Sequence, residues 1–190
     1  MNNLIKYGII GAGVMGQEHI HNINIIEKAE VVAICDTNEG SINQARSLTN
    51  DTAKIYDNLE DLINDNIADA YIIATPNFTH IDILERILKT NKHLLIEKPL
   101  CTTTEDCKKF ELLSKNYSKI IWTGMEYRYM PPVKQLIDEV HNNVIGKIKM
   151  LSIREHRFPF LNKVDDWNRF AINTGGTLVE KCCHFFDLMR

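Results

Sequence analysis

Ile9-Ile10-Gly11-Ala12-Gly13-Val14-Met15-Gly16 decides the fold. The apolar residues before it, 5–11 (IKYGIIG), read as a buried strand, and residues 14–25 can follow as a helix. The G-x-G-x-x-G spacing alone is weak. Here it joins a strand to a helix, and Asp36 stands twenty residues after Gly16 at the end of a second apolar run, 31–36 (VVAICD). That combination is the fingerprint of a dinucleotide-binding βαβ unit. Gly11 permits a tight turn, Gly13 lets the backbone approach a pyrophosphate, and Gly16 lets the helix pack close to the sheet. The helix N-terminus, at Val14 and Met15, offers free N–H groups and a partial positive charge to phosphate. Asp36 can accept hydrogen bonds from ribose hydroxyls and would repel a 2′-phosphate, so NAD is expected rather than NADP.

Outward from this unit the alternation continues. Helix-like residues 38–48 precede a short strand at 54–56 and a helix at 59–65. A strand at 69–75 (DAYIIAT), a strongly amphipathic helix at 79–90, a strand at 93–97 (HLLIE), a helix at 104–115 and a strand at 119–124 (KIIWTG) complete the series. Continuous apolar strands alternating with helices predict an α/β, doubly wound parallel sheet covered on both faces. Residues 1–125 are expected to form this NAD-binding domain.

The pattern changes beyond residue 125. Pro131-Pro132 can open a helix running to about residue 142. Residues 147–156 alternate like a half-exposed strand, and 178–190 read as one helix after Gly175-Gly176. A single strand leaves its hydrogen-bonding edges unpaired. Residues 126–190 are therefore expected to be the incomplete beginning of an α+β substrate domain.

Bulk properties exclude several function classes. A net charge of -3 and 25% charged residues give no basic surface for nucleic acid. No apolar run approaches the ~18 residues of a membrane span. The N-terminus lacks a signal-peptide pattern, so a cytoplasmic location is expected. Five cysteines, an odd number without a CxxC pair, do not read as a disulfide framework. Cys182, Cys183 and His184 are consecutive, and helical neighbours diverge by about 100°, so no metal site is expected there; the cysteines read as buried apolar residues.

Ligands of doubly wound sheets bind beyond the carboxyl ends of the strands. Thr75-Pro76-Asn77 and Glu97-Lys98-Pro99 follow the fourth and fifth strands, so both should border the nicotinamide half of a cofactor. Glu180, His184 and Asp187 fall at i, i+4 and i+7 and would share one helix face. Carboxylates one turn either side of a histidine can orient it and raise its basicity, which suits a general base taking a hydroxyl proton. A solvated polar face is the plain alternative. Arg128, Arg157, Asp166, Trp167 and Asn168 could contact substrate or be structural.

Taken together, Gly11–Gly16, Asp36, Ala74-Thr75-Pro76 with His80, Glu97-Lys98-Pro99, and Gly175-Gly176 followed by His184 resemble the glucose–fructose oxidoreductase, inositol dehydrogenase and MocA family. The resemblance implies an N-terminal Rossmann domain and a C-terminal domain built on an open sheet. It implies hydride transfer between NAD(P) and a secondary alcohol of a sugar or cyclic polyol. It makes Lys98 the lysine touching substrate and nicotinamide ribose, and His184 the acid–base histidine. Thr75, Pro76, Asn77, His80 and Glu97 fall to the cofactor side. Family members often carry aspartate where Glu180 stands, one methylene shorter, and they continue for well over a hundred residues past the catalytic helix. A full-length form is expected to be a homo-oligomer. Two other functions remain open at this point: a cofactor-binding protein without turnover, and an NAD-dependent glycosidase. Net NADH production, sugar release without it, or binding alone distinguishes the three.

Overall fold

Runs of β-branched and aliphatic residues form the strands, and the central ones bury side chains on both faces. The computed structural model describes residues 4–156 and 161–190. Six strands, β1 (Ile5–Ile10), β2 (Ala29–Cys35), β3 (Lys54–Tyr56), β4 (Ala70–Ile73), β5 (His93–Ile96) and β6 (Ile121–Thr123), pair in parallel in the order β3-β2-β1-β4-β5-β6. Parallel pairing demands crossovers, supplied by α1 (Val14–Asn24), α2 (Glu39–Leu48), α3 (Leu59–Asp65), α4 (His80–Ile87) and α5 (Thr104–Ser114).

Successive residues of a strand face opposite ways, and this divides the core in two. Ile9, Ile34 and Ile72 pack with Ile20, Ile23 and Ala45 of α1 and α2 on one face. Ile10, Cys35 and Ile73 pack with Leu62, Leu84 and Ile87 of α3 and α4 on the other. Side chains one residue before the helix cap three of these helices. Asn38, Asn58 and Thr103 accept from the backbone N–H groups of Ser41, Asp61 and Asp106, satisfying donors a helix start leaves open. No helix among the described residues is long and apolar enough to cross a membrane.

β1 lies between β2 and β4, so the chain reverses its winding direction there and leaves a crevice above the carboxyl ends. After β6 come α6 (Pro131–His141), then α7 (Ala171–Thr174), α8 (Thr177–Glu180) and α9 (Cys183–Met189). Two expectations are corrected in this part. Residues 147–156 form no strand and are mostly exposed. Alternation makes a strand only where a partner takes the backbone hydrogen bonds, and the described strands pair only among themselves. The helix expected over 178–190 is broken: the backbone N–H groups of Lys181 and Cys182 both reach the Thr177 carbonyl, at 2.9 and 3.1 Å, and a new helix starts at Cys183. The widened turn rotates everything after it relative to Glu180.

Candidate active site

The glycine loop is shaped by close backbone contacts. Gly11 has φ +92°, and a Cβ there would lie 2.6 Å from the Thr75 nitrogen. A Cβ on Gly16 would lie 2.0 Å from the Gly11 carbonyl oxygen. Gly13 has nothing within 4 Å, so its bare face looks onto open space. Gly13 also caps α1 without a side-chain hydrogen bond, and the first turn holds no acidic residue. An uncapped helix start beside empty space is a fitting seat for a pyrophosphate. Asp36, just past β2, accepts from the Ala12 N–H at 2.6 Å through Oδ2 and from the Asn38 N–H at 2.8 Å through Oδ1. Its carboxylate is thereby fixed at the mouth of the loop.

From here a cleft of about 1380 Å³ runs across the strand ends. Gly11, Gly13, Val14, Met15, Asp36, Thr75, Pro76, Asn77, Glu97, Lys98, Glu180 and His184 all line it, as do Trp167 and Asn168. Gly16 lies beneath the loop. His80 does not line the cleft: it is fully buried, with Nδ1 3.1 Å from the Pro99 carbonyl and Nε2 3.1 Å from the Thr75 carbonyl. It fastens together the loops after β4 and β5, and burial lowers its pKa. The Thr79 hydroxyl donates to Thr75 Oγ1 at 2.8 Å and steadies the same turn.

At the far end, residues remote in sequence converge. Glu97 is 9% exposed, with Oε1 2.7 Å from His19 Nε2. Burial pushes its carboxyl up, but the His19 hydrogen bond and charge, with the Lys98 cation, hold it below the usual range. The Lys98 ammonium donates to the Glu180 carbonyl at 3.1 Å, tying the end of β5 to the end of α8; the Lys98–Pro99 peptide is cis. Burial raises the Glu180 carboxyl against the pull of Lys98 and Lys163. Lys163, which the sequence reading missed, lines the cleft, and burial and the Lys98 charge push its ammonium down.

His184 is 1% exposed. Its ring stacks on Tyr127 at 4.0 Å and 5°. Its Nε2 stands 3.5 Å from Glu126 Oε1, and neither ring nitrogen makes a hydrogen bond. The expectation of raised basicity is corrected: burial first, and the Lys98 cation second, lower its pKa to about 4, against the opposing pull of Glu97, Glu155 and Asp187. The shared face with Glu180 and Asp187 is corrected as well. The break at Lys181 separates Glu180 from α9, and Asp187 is engaged by Arg128, whose Nη2 donates to Oδ1 at 2.6 Å. Arg128 is thus a tie to α9. Asp166 pairs with Arg169, and Arg157 lies outside the described residues. Lys181 donates to the Tyr127 hydroxyl at 3.0 Å, and that hydroxyl donates to Glu155 at 2.7 Å, a network behind His184 with no short-range signal. Cys182 and Cys183 are half-buried rather than fully buried. Among the described residues no three His, Cys, Asp or Glu side chains group as a metal site.

Buried polar atoms without a protein partner mark where a ligand belongs. Asn77 Nδ2, Asn168 Oδ1 and both His184 nitrogens are such atoms, and all three residues line the cleft. With the open face of Gly13 and the fixed Asp36, these residues fit a dinucleotide.

Comparison with known proteins agrees with this geometry. Residues 5–125 match an oxidoreductase family with an NAD-binding Rossmann fold, and residues 137–190 match the C-terminal alpha/beta domain of an oxidoreductase family. Inositol 2-dehydrogenase of Salmonella typhimurium is 33% identical over 154 residues, 80% of this chain and 46% of that protein. The rhizopine catabolism protein MocA of Rhizobium meliloti is 28% identical over 97% of this chain and 56% of its own length. The myo-inositol dehydrogenase of Lactobacillus casei, solved with NAD(H) and myo-inositol, superposes with a TM-score of 0.71 at 31% identity, covering 75% of this chain and 43% of that one. The chain spans about half the length of the curated relatives it matches.

Proposed function

Because the chain belongs to the oxidoreductase family of glucose–fructose oxidoreductase, inositol dehydrogenase and MocA, we propose that it serves NAD-dependent hydride transfer at a secondary alcohol of a sugar or cyclic polyol. The observation that carries this reading is that Lys98 and His184 both line the cleft that begins at the glycine loop. A bound NAD would supply the hydride acceptor. Gly11, Gly13 and the start of α1 would hold its pyrophosphate, and Asp36 its adenosine ribose, in preference to the 2′-phosphate of NADP. Thr75, Pro76, Asn77, Glu97 and Lys98 border the other half.

His184 is neutral at pH 7, because its pKa lies at about 4. A neutral ring presents a lone pair to a substrate hydroxyl, and the stacked Tyr127 keeps the ring in one plane. The Lys98 ammonium, steadied by the Glu180 carbonyl, would stabilise the developing alkoxide. Glu180 thus contributes through its backbone as well as its charge.

The test is NADH production over a panel of cyclic polyols and sugars, with His184→Ala and Lys98→Ala beside the unaltered chain. Loss of a positioned acid–base group costs ~10²–10⁴ in rate, so His184→Ala should lower kcat by that order with NAD affinity nearly intact. Lys98→Ala should lower turnover and weaken NAD binding. Near-normal turnover by His184→Ala would overturn the assignment, and NADH binding without turnover on any substrate would favour a cofactor-binding role.

A further inference from the structure

Glu97 holds a buried carboxylate at the carboxyl end of β5, two strands across the sheet from the glycine loop. It lines the cleft, and its Oε1 is 2.7 Å from Nε2 of His19, on the second turn of α1. A carboxylate only accepts, so the His19 nitrogen carries the hydrogen. We propose that His19 and Glu97 form a charge-setting pair that biases the cleft toward the oxidised, positively charged nicotinamide of NAD over the reduced, neutral form. His19 acts as a positioning residue, through Glu97. The inference rests on the cofactor reading above, not on the assignment of His184.

The physical argument is differential. NAD+ and NADH share every phosphate and ribose contact, and their nicotinamide rings differ by one positive charge. A nearby ionised carboxylate therefore favours the oxidised ring, whereas a shape contact holds both equally. The groups facing Glu97 are His19 from α1, Lys98 beyond its own strand, His80 from α4, Lys163, and His184 from α9. Lys98 and Lys163 act against the bias on the ring, so the charge on Glu97 must persist for the bias to exist. Two donors hold the Glu97 carboxylate: His19 at Oε1, 2.7 Å away, is the side-chain partner, and the Lys98 backbone N–H reaches Oε2 at 3.3 Å. Burial pushes that carboxyl toward protonation, and His19 is the larger of the two effects against it.

Calorimetric titration of the full chain with NAD+ and NADH separately, between pH 6 and 8.5, tests the pair. The wild-type ratio of the two dissociation constants should favour NAD+ more than that of Glu97→Gln at every pH in this range. Glu97→Gln should shift the ratio about tenfold toward NADH, the effect of a unit charge over ~10 Å at an effective dielectric constant of about 20. His19→Leu should show that shift as pH falls toward 6 and recover as it rises, while His19→Gln, which keeps a donor, should stay near wild type. An unchanged ratio in Glu97→Gln, or equal weakening of both forms by His19→Leu at every pH, would make the pair a mere tie between α1 and β5.

The Glu97 carboxyl 13C signal in the ligand-free chain, assigned with Glu97→Gln, gives a readout that needs no cofactor. It should be level from pH 5 to 8 in wild type and titrate in His19→Leu; an unmoved titration overturns the inference. Should His19→Leu fail to fold, the Glu97→Gln ratio decides. If wild type binds neither NAD+ nor NADH, the cofactor reading falls and this inference with it. Normal binding with an unchanged ratio sinks this inference alone.

Discussion

His184 shows how burial reverses what neighbouring charges suggest. Carboxylates at i-4 and i+3 in the sequence argue for a basic imidazole. The structure closes the ring off from water beside the Lys98 cation, and both effects disfavour the imidazolium. A histidine with a folded pKa of about 4 against 6.5 when unfolded binds fewer protons folded than unfolded between those values. Its contribution is therefore intact above about pH 6.5 and is lost as pH falls toward 4, by about 3 kcal/mol in all and about 2 by pH 5. Urea unfolding at pH 7 and pH 5 should show wild type losing about 2 kcal/mol more than His184→Gln between the two. Equal losses would mean that the ring is not held neutral by its surroundings. His80 is buried in the same sense and is present in both proteins, so it drops out of the difference.

The loop from β1 to α1 separates two reasons for glycine. Gly16 is required by packing, because a Cβ there would meet the Gly11 carbonyl oxygen, a backbone atom, at 2.0 Å. Gly13 has an ordinary φ of -68° and nothing within 4 Å, so the fold itself does not need it. Gly16→Ala should cost about 1–3 kcal/mol of stability through overpacking and weaken NADH binding as the loop opens. Gly13→Ala should keep stability within about 1 kcal/mol and still lose NADH affinity, because the added methyl would stand where the pyrophosphate belongs. Thermal unfolding and NADH fluorescence titration of the two variants measure both. Full NADH affinity in Gly13→Ala would place the pyrophosphate elsewhere.

Across the molecule, order is unevenly distributed. The centre of the six-stranded sheet is buried on both faces, whereas residues 142–156 lie outside regular structure and are largely exposed. Turn hydrogen bonds hold the N–H groups of Asn142, Asn143, Val144 and Gly146, and the exposed backbone from 147 to 156 should exchange fastest. Hydrogen exchange should leave β1, β2 and β4 protected far longer than residues 142–156, with α9 between, since Arg128 and the Tyr127 stack tie it down. Uniform protection across both regions would mean that another chain, or a packing not seen here, pairs the exposed stretch.

Local sequence already contained the Rossmann sheet. Strands of three to seven mostly apolar residues, glycines at fixed offsets and Asn or Thr caps act within one βαβ unit, so the residues that cause each element are its own. That Lys98 and His184 would line one cleft was also legible, through the resemblance. Their surroundings were not. His19 meets Glu97 across 78 positions, Lys98 meets the Glu180 carbonyl across 82, and Arg128 meets Asp187 across 59; no periodicity records such contacts. The alternation at 147–156 failed for the same reason, because a strand exists only with a partner. The break at Lys181 failed differently: it draws that ammonium to Tyr127 and beside Glu155, outweighing the helical propensity of the segment. Spacing along the chain decides which elements form, whereas charge and burial at the site depend on what those elements enclose once packed.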